Sequence, residues 1–111
     1  MIKKFQAEIP LSFEKSHELL VESAKTIASW KLNNSDPAHG YLEWKQSFWA
    51  LTGTTSIIAI LEKKGEDTTS VVVNVHKPMQ VIDPIGILDR IYRKLENAWL
   101  KKLENSGRSQ E

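Results

Sequence analysis

With 111 residues, 41% of them hydrophobic and 26% charged, the chain has the composition of one folded domain; a disordered polypeptide is excluded, as are two cores with a cleft between them. Fifteen basic residues against fourteen acidic ones leave a net charge of +1, so no global field attracts nucleic acid or anionic lipid. The absence of cysteine excludes disulfides, thiolate metal sites and thiol nucleophiles, and suits a reducing compartment.

Residues 2–9 alternate, with Phe5, Ala7 and Ile9 on one side and Lys4, Gln6 and Glu8 on the other, which predicts a strand with one wet face. The two lysines at the start run into Gln6 and Glu8 rather than into the apolar stretch of a secretory leader, so the expected location is cytoplasmic. After Pro10, Ser12 can cap a helix whose apolar positions Phe13, Leu20, Val21, Ala24, Ile27 and Ala28 predict a span over 13–29. Trp30 and Leu32 alternate with Lys31 and Asn33, and the run Asp36-Pro37-Ala38-His39-Gly40 reads as a turn.

A strand over about 40–49 follows, with Leu42, Trp44 and Phe48 on one side and Tyr41, Glu43, Lys45, Ser47 and Trp49 on the other. Residues 56–64 and 69–77 form two further strands, joined by a hairpin at Lys64-Gly65-Glu66-Asp67, with Val71, Val73 and Val75 in step. The Ile57–Leu61 run is far too short to span a bilayer. A second helix is expected to open at Asp83-Pro84, where the missing proline N–H costs nothing, and to bury Ile87, Leu88, Ile91, Leu95, Ala98, Trp99 and Leu103. Residues 1–105 are read as a single α+β domain and 106–111 as a flexible polar tail.

The order βαββββα, with short links between the last four strands, predicts an α+β fold: a single antiparallel five-stranded sheet with both helices packed on one face. Two helices cover one side of such a sheet, so the opposite side is left for solvent, a ligand or another subunit. Strand parity puts Gln6, Glu8, Tyr41, Glu43, Lys45, Asn74 and His76 on that side. The strand 56–64 is apolar on both parities, with Ile58 and Ile60 pointing away from Ile57, Ala59 and Leu61.

Trp30 opening the second strand, the Asp36-Pro37 turn with Gly40, the Val71-Val72-Val73 strand, the Phe5-x-x-x-Ile9 strand before the helix, and Ser47 with Thr52-Gly53-Thr54-Thr55 resemble a family of small bacterial proteins of this topology. The resemblance spans most of residues 5–100; Asp83-Pro84-Ile85-Gly86 departs from the Asp-Trp-Gly that often precedes the last helix there. The topology is also similar to one repeat of the TATA-box-binding protein fold, or to a trimmed helix-grip domain of the lipid and hormone carrier type. These likenesses imply an architecture and transfer no functional residue.

No residues take the spacing of a known reaction centre. His17, His39 and His76 match no metal motif, and His17 on the apolar stripe of the first helix reads as a hydrogen-bonded structural histidine. Asp36 and His39 read as turn chemistry, with no nucleophile beside them. Arg90, Arg93, Lys94, Lys101 and Lys102 are interleaved with acids and read as a solvated helix face. Trp30, Trp44 and Trp99 are expected in the core.

The expected function is therefore a non-enzymatic binding or interaction module needing no metal or cofactor. It would self-associate through the open sheet face or an edge, with Ile58 and Ile60 as interface residues. Tyr41, Glu43, Lys45, Trp49 and His76 are the candidate ligand-binding residues on the same face. The alternative is a carrier or sensor of a small apolar ligand, held between the sheet and the last helix near Trp44, Phe48, Tyr92 and Trp99. An enzyme using Glu43, His76 or the Asp36 and His39 turn as general acid and base, and a nucleic-acid binder, are the lesser readings.

Overall fold

The structure, a computed structural model, describes residues 2–47, 54–77 and 86–109. In chain order these form β1 (Ile2–Ile9), α1 (Phe13–Ala24), β2 (Trp30–Asp36), β3 (Tyr41–Ser47), β4 (Thr54–Gly65), β5 (Thr68–His76) and α2 (Ile87–Ser109). The strands make one antiparallel sheet in the order β1-β5-β4-β3-β2, as the short connections require. β1 lies beside β5, the strand farthest from it in the sequence, with Ile2 opposite His76 and Ile9 opposite Thr69.

Both helices lie on one side of the sheet. The alternation read in the sequence delivers Leu42, Trp44, Ile57, Ala59, Leu61, Val71, Val73 and Val75 to that covered face, all buried. Leu20 and Ala24 of α1 and Leu88, Ile91, Leu95 and Trp99 of α2 close over them. Each fully buried branched aliphatic here contributes about 1.5–3 kcal/mol, so the covered face carries the stability of the domain. Trp30, Trp44 and Trp99 are all core residues.

α1 starts as expected, with Ser12 in extended geometry and its Oγ accepting the Lys15 N–H at 3.3 Å. It stops at Ala24 rather than running to residue 29. The Thr26 and Ile27 amides bond back only three residues, to Ser23 and Ala24, and the Thr26 hydroxyl also takes the Ser23 carbonyl at 2.7 Å. These tighter turns, helped by a β-branched residue that competes for the backbone, end the α-helical ladder.

α2 begins at Ile87, beyond the expected opening; Asp83-Pro84-Ile85 lie outside the described residues. Gly86 has φ of +66°, a left-handed backbone that cannot belong to the helix that follows it. At its other end the helical backbone continues through Ser109, into the segment read as a tail, because extending an established helix is far cheaper than starting one. β2 is longer than its alternating residues indicate and reaches Asp36 by a bulge between Leu32 and Asn34.

Gly40 sits where the β2–β3 turn meets the start of α1. Its φ is +67°, its carbonyl accepts the Leu61 N–H at 2.7 Å, and a Cβ placed on it would lie 2.7 Å from both the Leu61 carbonyl oxygen and the Phe13 ring. Gly40→Ala therefore combines left-handed strain with a backbone clash and is expected to cost about 2–4 kcal/mol in thermal or denaturant unfolding. Gly65→Ala, with open space around it, should stay within about 0.5 kcal/mol of the parent.

Candidate functional site

The open face of the sheet holds the expected ligand-binding residues but does not gather them. Tyr41, Glu43 and Lys45 follow one another along β3, half-buried. Glu43 accepts from Asn33 Nδ2 at 3.1 Å and faces Lys45 Nζ at 3.5 Å, while Lys45 donates to Ser56 Oγ at 2.6 Å. The polar atoms of Glu43 and Lys45 are thus engaged with neighbours on the sheet surface.

His76 is exposed at the end of β5, opposite Ser56, which is in turn opposite Lys45. Two strand spacings, roughly 10 Å, therefore separate His76 from the β3 side chains, and Glu43 lies a further step along. The acid and base pair considered for an enzyme does not form between them. Trp49 and Phe48 lie outside the described residues. Ile58 is half-buried and Ile60 is 44% exposed, with Val72 and Tyr41 directly beside Ile60 on the neighbouring strands.

The covered face carries a different arrangement at the end of the sheet where β2 begins. Trp30, Gln46 and Thr55 stand in one row across β2, β3 and β4, Trp30 opposite Gln46 and Gln46 opposite Thr55. All three are buried, Gln46 and Thr55 completely. The indole Nε1 of Trp30 donates to Gln46 Oε1, but Gln46 Nε2 and Thr55 Oγ1 have no partner. An amide and a hydroxyl left without hydrogen bonds inside a protein each cost about 1–3 kcal/mol, and such groups are uncommon.

Aromatic rings adjoin this row. Trp44, one position further along the covered face, meets Trp30 at a centroid distance of 5.7 Å, and the two line a recess of about 60 Å³ with Val21, Ala24, Lys25 and Leu32. On the other side of the interior, Tyr92 stacks on Phe5 at 4.3 Å and meets the edge of Trp99 at 6.1 Å. The Tyr92 hydroxyl donates to Glu96 at 2.8 Å; burial first, and then this carboxylate, push its pKa well above the ordinary phenol value.

Two further buried side chains of α1 have orphan atoms, His17 Nε2 and Ser23 Oγ. His17 is buried as its place on the apolar stripe implies, but its Nε2 lacks the hydrogen bond expected of a structural histidine. The Asp36 and His39 turn forms as read: His39 Nδ1 lies 2.8 Å from Asp36 Oδ2, and this bond holds the carboxyl below its usual range. Both side chains are exposed, so the pair stabilises the turn only slightly.

Gln46 and Thr55 were absent from the candidates that sequence parity supplied for a ligand. A signal existed: Gln46 is a polar residue at the parity of Leu42 and Trp44, and Thr55 shares the parity of Ile57 and Ala59. With the fourth strand read from residue 56, however, Thr55 fell into the connection before it.

No family model matches the chain, and no curated protein matches it in sequence. Solved structures match its fold. The Zhui aromatase/cyclase from Streptomyces sp. R1128 superposes with a TM-score of 0.66 at 12% identity, over 94% of this chain and 93% of that one. A START superfamily protein from Mycobacterium smegmatis gives 0.63 at 10% identity, over 99% of both chains. DynU16, a protein in the dynemicin biosynthetic locus, gives 0.69 at 11% identity, over 95% of this chain but 48% of its own. The chain thus has the small α+β architecture of helix-grip and START-like proteins, and of the two likenesses drawn from topology these neighbours share the helix-grip one. Among the described residues no helix is long and apolar enough to cross a membrane.

Thr55→Val replaces the orphan hydroxyl with a methyl group of the same shape. It should raise stability by about 1 kcal/mol, which for a domain of this size lifts the melting temperature by roughly 4 °C. A lower melting temperature would mean that the hydroxyl is satisfied in the folded protein.

Proposed function

We propose that the protein is a non-enzymatic binding module that holds a small, largely apolar ligand between the sheet and the helices, at the end of the covered face marked by Trp30, Trp44, Gln46 and Thr55. The observation that carries this reading is the pair of fully buried polar groups without partners, set among aromatic rings. A site that fixes an apolar molecule needs this composition: mostly aromatic and aliphatic lining with a few convergent polar atoms. The architecture shared with an aromatase/cyclase and a START superfamily protein supports it at the level of fold.

The recess lies beside Trp30 and Trp44; Gln46 and Thr55 are not among its lining residues, so a ligand reaches them only as the recess widens. Its volume accommodates about two waters, so an organic ligand enters as Lys25, whose ammonium is engaged only at the surface with Glu22, swings aside and Leu32, 41% exposed, gives way. Titration with isopropenylnaphthalene, followed by tryptophan fluorescence, is expected to give a saturable change at one ligand per chain. At a hundredfold excess over Kd the bound form gains about 2.7 kcal/mol of stability, visible as a higher melting temperature. A flat response from this probe and from its polar relatives sinks the reading.

Self-association is the second reading, favoured by the make-up of the open face. Ile58, Ile60, Val72 and Tyr41 sit at its centre. Lys4, Lys31 and Lys45 with Glu43 lie toward the end where β2 begins, and Glu8, Asp36 and Glu62 with Lys64 toward the other. A second copy turned about an axis lying between the sheets and across the strands would set the basic end of each over the acidic end of the other. Light scattering should then show a dimer that Ile60→Lys converts to a folded monomer; a parent protein monomeric at every concentration removes this reading.

A further inference from the structure

Resting on the interior as a ligand site, we infer that the ligand is a flat apolar molecule bearing an uncharged hydrogen-bond acceptor, a ketone-type carbonyl, which Gln46 Nε2 and Thr55 Oγ1 read together. The argument starts from Trp30. An indole N–H can only donate, so the atom of Gln46 that faces it must be the carbonyl oxygen. This fixes the amide, and the group left over on Gln46 is therefore a donor, the NH₂ of Nε2.

Thr55 stands directly opposite Gln46 on the same face of an antiparallel pair, so their Cβ atoms lie about 5 Å apart. Its orphan hydroxyl rotates freely and can donate to the acceptor that Nε2 meets. Two donors without partners, on adjacent strands and fully buried, stand close enough in register for one oxygen atom to meet both once a ligand parts the packing around them. Both donors are neutral, and buried neutral dipoles do not offset the desolvation of a carboxylate as they do that of a carbonyl; the nearby cation Lys77, buried just beyond the end of β5, already has an interaction of its own. The rings of Trp30 and Trp44 beside the pair supply the flat apolar lining.

The test compares three probes of one shape on the full chain: acetylnaphthalene, isopropenylnaphthalene, in which CH₂ replaces the carbonyl oxygen, and naphthoate. The ketone is expected to bind about tenfold more tightly than the hydrocarbon and more tightly than the carboxylate. That preference should fall in Thr55→Val, which keeps the Gln46 donor, and in Trp30→Phe/Gln46→Met, which keeps the Thr55 donor and removes both partners of the indole bond together so that no new orphan is created.

Equal binding of ketone and hydrocarbon overturns the acceptor assignment and leaves the carrier reading standing. A ketone preference that is undiminished in both variants overturns the assignment to Gln46 and Thr55. Tighter binding of naphthoate overturns the uncharged acceptor. Failure of all three probes overturns the carrier reading, and the inference with it.

Discussion

The pairing of β1 with β5 is the contact on which the rest of the molecule depends. It joins residues 2–9 to residues 69–76, the most distant strands in the chain, and so brings in the long loop-closure cost that non-local sheets carry. The return is that α1, leaving β1 at the end of the sheet, has only one face to cross. The Leu11 carbonyl fixes that exit by accepting Thr69 Oγ1 at 2.9 Å and Ser16 Oγ at 3.3 Å, which ties the link before α1 to β5 and to the helix itself. α2 is then anchored on β1, by Phe5 stacked on Tyr92 and by Lys3 at 2.8 Å from Asp89. The ring stack is the stronger anchor, because the ion pair is half-exposed and worth at most about 1 kcal/mol.

Once both helices are on one side, the two faces of every strand have different chemistry. A residue on the covered face loses water and must be apolar or hydrogen-bonded, whereas one on the open face is free to be charged. Glu43 and Lys45 satisfy one another and their neighbours, and a surface network of this kind contributes little to stability. Gln46, next to Lys45 along β3 but on the other side of the strand, has no such freedom. Against the 5–15 kcal/mol of a typical domain, two orphan groups at about 1–3 kcal/mol each are a large deficit, and an apolar pair of the same volume would remove it. That Gln46 and Thr55 occupy these positions is the strongest reason to look for function inside the domain rather than on its outer face.

The architecture was legible because its signals are local and repeated. The period-two runs through β3, β4 and β5 and the helical stripe from Leu88 to Trp99 each contain several independent positions that agree, so element type, order and buried parity followed from the residues. Element ends were less legible. Helix α1 stops at Ala24 because Thr26 bonds to Ser23, a competition that apolar spacing does not register. The candidate site was less legible: the space expected near Trp44, Phe48, Tyr92 and Trp99 shares only Trp44 with the site at Trp30, Trp44, Gln46 and Thr55, and the polar members of that site were not named. Parity assigns a side chain to a face; it does not say which of its atoms remain without a partner after neighbours are counted, and that is a property of the packed structure.

The orphan pair also bears on how a ligand would gain affinity. Gln46 and Thr55 lose their water when the chain folds, whether or not a ligand is present, so this desolvation is charged to folding rather than to binding. An acceptor arriving between them then restores two hydrogen bonds without stripping water from the protein side, which is the physical content of preorganisation. A molecule of the same shape without the acceptor gains only its apolar contacts and leaves both donors as they were. Discrimination by the interior would thus rest on Trp30, whose N–H can only donate, holds the Gln46 amide in one orientation and so determines that the side chain offers a donor to the bound molecule.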